Sequence, residues 1–128
     1  KGVFDCISTD HAPHTAEEKS RGFEKAPFGI VGLETAAALT NSVLVNGGYL
    51  TPIQMAEKMS FNPSRILGIE RGDISVGNVA DIVVFDPKEI WTVRPEEFKS
   101  MGRNTPFAGK KLTGRVKAVL HQGVITKQ

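Results

Sequence analysis

The chain has 128 residues and an ordinary composition, 40% hydrophobic and 23% charged, and this length suffices for about one domain with a buried core. Sixteen basic and fourteen acidic side chains leave a net charge of +2, a bias too small to indicate nucleic acid or an anionic membrane as a partner. The single cysteine, Cys6, excludes an intrachain disulfide, and no apolar stretch approaches the roughly 20 residues that a membrane helix needs.

The first segment, Val3 to Thr9, is an apolar run that predicts a short buried strand ending at Asp10. Cys6 lies within this run and is interpreted as a small buried strand residue, not as a nucleophile. A buried strand of this kind needs neighbours on both sides, and nothing nearby in the sequence supplies them. The chain also lacks an initiator methionine and a signal-peptide pattern. We therefore expect a fragment of a longer protein from a reducing, cytoplasmic compartment.

Three helices are predicted after a long polar segment, His11 to Phe28. Apolar spacing indicates a largely buried helix from Gly32 to Val45, stopped by an Asn-Gly-Gly sequence. The second helix is predicted from Pro52 to about Met59, with Thr51 as its N-cap. The third begins at Asn62-Pro63 by the same device and ends at Gly68.

The remainder of the chain predicts a small β region. The elements, in chain order, are a strand Ile82 to Phe85 closed by Asp86-Pro87, a second candidate strand Ile90 to Val93, one helical turn Pro95 to Phe98, and a hairpin in which Val116 to Leu120 and Val124-Ile125 flank a tight His121-Gln122-Gly123 turn.

The densest group of reactive side chains is Ser8 to His14. A carboxylate at the end of a buried strand, such as Asp10, can bind a metal ion and carry a proton, although a plain loop-capping role is equally open. His11 and His14 are spaced i, i+3, but Pro13 breaks any helix between them, so they are not a helical metal-binding pair. Each histidine alone is more often a polar loop or core residue than a ligand. His121 is interpreted as structural or solvent-facing.

Two glycine-rich segments complete the candidate sites. In Ala26 to Glu34, two glycines surround a helix start, where free backbone N–H groups can bind a carboxylate, although an ordinary loop-to-helix turn is the simpler interpretation. The segment Gly102 to Gly109 lacks the spacing of a phosphate-binding loop. It is interpreted as an ordered turn that locks one part of the structure to another.

Five segments of the chain form an ordered series: Thr9 to His14, Pro27-Phe28-Gly29 with Gly32 to Thr35, Asn62 to Gly68, Gly77 to Ile82, and Gly102 to Phe107. This series resembles the C-terminal third of class I dihydroorotases, which belong to the cyclic amidohydrolase superfamily. The first and last segments are the more specific, and the Asn-Pro and Ala-Asp segments occur across the cyclic amidohydrolases.

The resemblance implies an α/β fold, comprising the last strand and helices of an amidohydrolase (β/α)8 barrel and part of a small β-sandwich. Residues 1–70 would form the C-terminal end of the barrel, with Val3 to Thr9 as its eighth strand. Residues 71–128 would form part of the composite β-sandwich. The rest of the barrel would come from outside this chain.

The resemblance also implies an enzyme and its site. Asp10 would bind zinc, as one or two ions, and act as general base and acid. His14 would contact the carboxylate region of the substrate, and backbone around Phe28 and Gly29 would hold it. The implied reaction is the reversible cyclisation of N-carbamoyl-L-aspartate to dihydroorotate in pyrimidine biosynthesis.

The chain departs from the family pattern in its metal ligands. The family has a His-x-His pair on its first barrel strand, and no His-x-His occurs here. A catalytic zinc normally has three protein ligands, so we expect the isolated chain to be inactive and to leave an apolar surface exposed.

Two alternatives remain open at this stage. One is another cyclic amidohydrolase, such as a hydantoinase or allantoinase. The other is a non-catalytic dihydroorotase-like partner of aspartate transcarbamoylase. A homodimer is a further candidate assembly. Retention of Asp10 and His14 favours an enzyme, because a degenerate copy has no physical reason to keep them.

Overall fold

The computed structural model of the protein describes residues 2–126, with helices in the first half and an antiparallel sheet in the second. No helix among these residues is both long and apolar enough to cross a membrane. The elements are α1 (Ala16–Lys19), α2 (Ala36–Leu39) continued by a π-helical segment (Thr40–Val45), α3 (Pro52–Ala56) continued by a second π-helical segment (Glu57–Phe61), α4 (Asn62–Leu67), β1 (Ile82–Thr92), a 3-10 turn (Pro95–Glu97), β2 (Lys111–His121) and β3 (Val124–Thr126).

The first two predicted helices are confirmed, with one shift. The helix predicted from Gly32 begins at Ala36, because the preceding residues form a turn that leads into it. The N-cap predicted at Thr51 is a full capping box: its hydroxyl accepts from the Gln54 N–H at 3.2 Å, and the Gln54 side chain accepts from the Thr51 N–H at 2.9 Å. This arrangement satisfies two N–H groups that have no partner inside the helix.

The third helix is confirmed over Asn62–Leu67 and ends at Gly68, which has the left-handed conformation expected of a C-terminal cap. The predicted N-cap role of Asn62 is wrong. Asn62 has helical dihedral angles and continues the preceding π-helical segment, so no helix end exists there to cap. Its side-chain amide donates instead to the Asp5 carbonyl oxygen at 2.8 Å.

The predicted strand from Val3 to Thr9 is not formed in the described part of the chain. The segment has no adjacent strand to pair with, so its backbone bonds to the helices instead. The Ile7 N–H donates to the Lys58 carbonyl oxygen at 2.9 Å, and the Lys58 ammonium donates to the Phe4 carbonyl oxygen. The interpretation of Cys6 as buried is also wrong, since this residue is exposed for the same reason.

The β region forms one sheet of order β1-β2-β3, with antiparallel pairing throughout. The predicted closure of the first strand at Asp86-Pro87 is wrong: the strand continues, and its pairing jumps from Asp86–Arg115 to Ile90–Thr113 across an irregular segment. The predicted hairpin between β2 and β3 is confirmed. Gln122 and Gly123 both have positive φ, as a two-residue turn between antiparallel strands requires.

The hydrophobic core is small and lies between α2 and the sheet. Its buried apolar residues come from both halves of the chain: Val31, Ala38, Val93, Phe98 and Leu112. The buried Asn41 side chain fixes this packing by donating to the carbonyl oxygens of Pro87 at 3.0 Å and Thr113 at 2.8 Å. Many large apolar side chains outside the core are exposed, as predicted, and Val3 and Phe4 are 76% and 79% exposed.

Candidate functional site

Asp10 lies at the end of the exposed N-terminal segment, with a backbone φ of 45°. This left-handed conformation is uncommon for a non-glycine residue, although aspartate tolerates it better than most. The next residue, His11, forms a parallel β-bridge with Ile30, and the Ala12 N–H donates to the Ile30 carbonyl oxygen at 2.9 Å. Within residues 2–126 the exposed Asp10 carboxylate has no hydrogen bond or ion pair. It is therefore available to a ligand.

His11 has a structural role at the turn before α2. Its Nδ1 accepts from the backbone N–H groups of Gly32 at 3.0 Å and Leu33 at 3.4 Å. These two groups belong to the segment in which an anion site was predicted, and His11 already occupies them. A ligand carboxylate would have to use other N–H groups of that segment.

His14 is in direct contact with the second candidate segment. Its Nε2 lies 2.9 Å from the Phe28 carbonyl oxygen, which can only accept, so Nε2 carries the proton in this bond. Its Nδ1 faces a Glu18 carboxylate oxygen at 3.6 Å. Glu18 also completes a capping box with Thr15, and the hydrogen bonds from Thr15 hold the pKa of Glu18 below its usual value. The imidazole thus lies between a carbonyl oxygen and an ionised carboxylate.

The turn at Phe28 and Gly29 requires its glycine. Gly29 has φ of 120°, and a Cβ there would lie 2.4 Å from the Ala12 Cβ. Phe28 itself is 92% exposed. The backbone N–H groups of Phe28 and Gly29 donate to nothing in the part of the chain that the structure describes. Both groups therefore remain able to bind an anion.

Asn104 joins the two segments, and sequence reasoning did not single it out. Its side-chain amide donates to the carbonyl oxygens of Ala12 at 3.1 Å and Gly29 at 3.0 Å. Its side-chain oxygen accepts from the His14 N–H at 3.2 Å, and its backbone carbonyl accepts from the Val31 N–H at 3.0 Å. The prediction that the Gly102 to Gly109 segment locks parts of the structure together is confirmed. The signal was an amide side chain in a turn, a residue type too common to be informative alone.

Further contacts around Asn104 reinforce the junction. A Cβ at Gly102 would lie 2.8 Å from the Pro13 Cβ, so these two segments are in close contact. The Glu34 carboxylate accepts from the backbone N–H groups of Lys99 at 2.8 Å and Ser100 at 3.0 Å. Three segments that are far apart in the sequence therefore meet at one place.

A complete metal site is absent from the described residues, 2–126, which contain no group of three or more His, Cys, Asp or Glu side chains able to hold a metal ion. Asp10 can supply one ligand, whereas a catalytic zinc normally has three. His121 is the last residue of β2, before the hairpin turn. Its side chain is 71% exposed and its Nδ1 lies 3.1 Å from Asp81, which confirms its interpretation as structural or solvent-facing.

Comparisons with protein-family profiles and with curated proteins point to the same family. A profile described as the amidohydrolase family matches residues 1–126. The chain is 50% identical over 123 residues to the dihydroorotase of Clostridium acetobutylicum. The aligned region covers 96% of this chain and 29% of that protein. The chain is 49% identical over 127 residues to the dihydroorotase of Caldanaerobacter subterraneus, covering 99% and 29%. The chain thus spans about 29% of the length of these curated relatives.

Solved structures share the same architecture. The L-hydantoinase (dihydropyrimidinase) from Arthrobacter aurescens superposes with a TM-score of 0.91 at 30% identity, covering 99% of this chain and 29% of that one. The inactive dihydroorotase-like domain of the Chaetomium thermophilum CAD-like multifunctional protein superposes with a TM-score of 0.56 at 27% identity, covering 74% and 25%.

Proposed function

Because the chain belongs to the amidohydrolase family, we propose that it is the C-terminal part of a dihydroorotase. The whole enzyme would catalyse the reversible, zinc-dependent cyclisation of N-carbamoyl-L-aspartate to dihydroorotate in pyrimidine biosynthesis. The observation that supports this most directly is the contact of the His14 ring with the Phe28 carbonyl oxygen at 2.9 Å. It joins the two segments to which we assign substrate binding. Relatives named dihydroorotase at 49–50% identity favour this substrate over a hydantoin.

The proposed chemistry assigns proton transfer to Asp10. In the hydrolytic direction, water attacks the ring amide carbon while the Asp10 carboxylate takes the water's proton. The same proton then passes from Asp10 to the departing ring nitrogen as the C–N bond breaks. Bound zinc would lower the pKa of water to near neutrality and polarise the amide carbonyl. The exposed carboxylate of Asp10, which has no partner among residues 2–126, fits both a zinc ligand and a proton carrier, and the other ligands would come from outside this chain.

The proposed substrate contacts use His14, Phe28 and Gly29. The substrate carries a carboxylate, which favours hydrogen-bond donors. The N–H groups of Phe28 and Gly29, which have no partner within residues 2–126, supply two such donors. His14 contributes by holding the Phe28 carbonyl oxygen, and its ring lies beside the same turn. The two N–H groups would hold the carboxylate, and the imidazole beside them would position the turn that carries them.

The wider assignments follow from the same proposal. Residues 1–70 would complete a (β/α)8 barrel and residues 71–128 a composite β-sandwich. The enzyme would be cytoplasmic, with a second copy or aspartate transcarbamoylase as candidate partners. A neighbour described as a domain of a multifunctional protein supports an assembly of this kind.

The test is turnover by the full-length protein that contains this chain, loaded with zinc. We expect hydrolysis of dihydroorotate and formation of dihydroorotate from N-carbamoyl-aspartate, with much slower hydrolysis of hydantoin or allantoin. Preferred hydrolysis of hydantoin or allantoin would assign the chain to another cyclic amidohydrolase. A folded protein that binds no zinc and turns over none of these compounds would support the non-catalytic alternative.

A further inference from the structure

The side chain of Asn104 makes three hydrogen bonds that span two segments of the candidate site. Two of its bonds reach residues 92 and 75 positions earlier in the chain, at Ala12 and Gly29. The third accepts from the N–H of His14. Asn104 therefore contacts the backbone on both sides of the place where we assign the substrate.

We propose that Asn104 is a positioning residue for the reaction, and this inference rests on the proposed function. It fixes the distance between the Asp10–His14 segment and the Phe28–Gly29 turn. Asn104 touches neither the substrate nor the reacting atoms in this proposal. It acts through the backbone that carries His14 and the two N–H donors.

The chemistry of the position requires a primary amide. Two carbonyl oxygens, of Ala12 and Gly29, face the same nitrogen, which must therefore donate two hydrogens. The remaining atom of the side chain must accept from the His14 N–H. An aspartate would keep that acceptor but would place an oxygen against two carbonyl oxygens. An alanine would leave the two carbonyl groups and the His14 N–H without their partner.

The packing gives this spacing little tolerance. The Gly29 backbone approaches Ala12 so closely that a Cβ would lie 2.4 Å from the Ala12 Cβ, and Gly102 approaches Pro13 in the same way. The segments therefore already touch, and the amide acts together with the His11–Ile30 bridge and the His14–Phe28 bond to set their alignment. A displacement of about 1 Å at a catalytic site can reduce the rate roughly 100-fold.

The test compares Asn104→Ala and Asn104→Asp with Asn41→Ala in the full-length, zinc-loaded protein. Asn41 is a matched control, because its amide also donates to two carbonyl oxygens, at 3.0 and 2.8 Å, but within the core between helix and sheet. The measurements are KM and kcat for dihydroorotate, zinc content, the thermal midpoint and amide hydrogen exchange at His14. If Asn104→Asp does not fold, Asn104→Ala alone is compared with Asn41→Ala.

We expect Asn104→Ala to raise KM about tenfold at full zinc content and to speed exchange of the His14 N–H. Asn104→Asp should raise KM further, and Asn41→Ala should lower the thermal midpoint without changing KM. An Asn104→Ala protein with unchanged KM and a lowered thermal midpoint would overturn the inference. If the wild type does not turn over dihydroorotate, the proposed function fails. In that case amide hydrogen exchange alone tests whether Asn104 holds the His14 segment in place. Unchanged exchange at His14 in Asn104→Ala refutes this positioning role, and faster exchange supports it.

Discussion

The Nε2 atom of His14 lies 2.9 Å from the carbonyl oxygen of Phe28, which follows 14 positions later in the chain, so the intervening loop folds back on itself. The loop contains the one-turn helix α1, and its far end is held by the Lys19 ammonium, which donates to the Pro27 carbonyl oxygen at 2.7 Å. The two ends of the loop are thus bonded to each other and to its middle. This arrangement presents His14 and the Phe28–Gly29 turn as one unit.

Replacing Asp10 by asparagine tests the proton-transfer role. The substitution removes the negative charge and the group that carries the proton while keeping the shape. We expect turnover of dihydroorotate by the full-length protein to fall roughly 10²–10⁴-fold, the range for general acid–base catalysis. Zinc content must be measured alongside, because the substitution also weakens a metal ligand. Near-normal turnover at full zinc occupancy would refute the role of Asp10.

Replacing His14 by alanine tests substrate binding. The variant loses the bond to the Phe28 carbonyl oxygen, so the turn that holds the substrate is no longer fixed. We expect KM to rise roughly 10- to 100-fold, with kcat falling only as far as orientation suffers. Steady-state kinetics separate the two parameters. If kcat were abolished with KM unchanged, His14 would belong to the chemistry.

Replacing Gly29 by alanine tests the close approach of the two segments. The new Cβ would lie 2.4 Å from the Ala12 Cβ, so the backbone must move and KM should rise. Gly109 is the matched control, because its φ is also positive, at +76°, but nothing lies within 4 Å of a Cβ there. Gly109→Ala should cost only about 1–2 kcal/mol of conformational strain and leave KM unchanged. Equal KM values in the two variants would contradict the steric argument.

The Asp81 carboxylate predicts a pH-dependent contribution to stability. The Gln122 N–H, followed by His121 and Arg71, holds its pKa below the usual 3.8. A carboxylate whose pKa is lowered by folding stabilises the fold above its unfolded pKa, and this contribution is lost as the pH falls through the lowered pKa. Asp81→Asn should therefore lower the thermal midpoint at pH 7, and the difference should shrink below about pH 3.8.

Glu24→Gln is the control for this effect, because Glu24 makes no side-chain hydrogen bond or ion pair in the described part of the chain. It should leave the thermal midpoint nearly unchanged at both pH values. If Asp81→Asn lowers the thermal midpoint relative to the wild type by the same amount at pH 7 and pH 3, the charge of Asp81 is not the cause of the lost stability.

The isolated 128-residue chain is expected to bind zinc weakly and not to hydrolyse dihydroorotate. Asp10 is a single carboxylate ligand, and the chain has no His-x-His pair. The assay uses the purified chain with zinc and dihydroorotate. Clear turnover that disappears in Asp10→Ala would place a complete metal site within these residues.

Local signals in the sequence predicted most of the helices and the hairpin correctly. The capping box at Thr51 and the Gln122-Gly123 turn depend on neighbouring residues alone, so the pattern contains all the information needed. The strand at Val3 to Thr9 failed because a strand depends on partners elsewhere. The Asn62 cap failed because the preceding helix continues through it, which local sequence does not reveal.

The candidate site was predictable residue by residue but not as an assembly. Asp10, His14 and the Phe28–Gly29 turn were identified from chemistry and family resemblance. The bond between His14 and Phe28 depends on how the intervening loop folds back. The role of Asn104 depends on contacts across as many as 92 residues, and no local pattern encodes them.

The position of Asn104 also affects the order in which the site forms during synthesis. Its partners Gly29 and Ala12 precede it by 75 and 92 residues. At ordinary rates of translation this separation corresponds to about 4 to 18 s, during which both segments exist without the residue that joins them. A nascent chain stopped before residue 104 would contain Asp10, His14, Phe28 and Gly29, and these two segments would be held by their direct bonds alone, without the amide that donates to both Ala12 and Gly29.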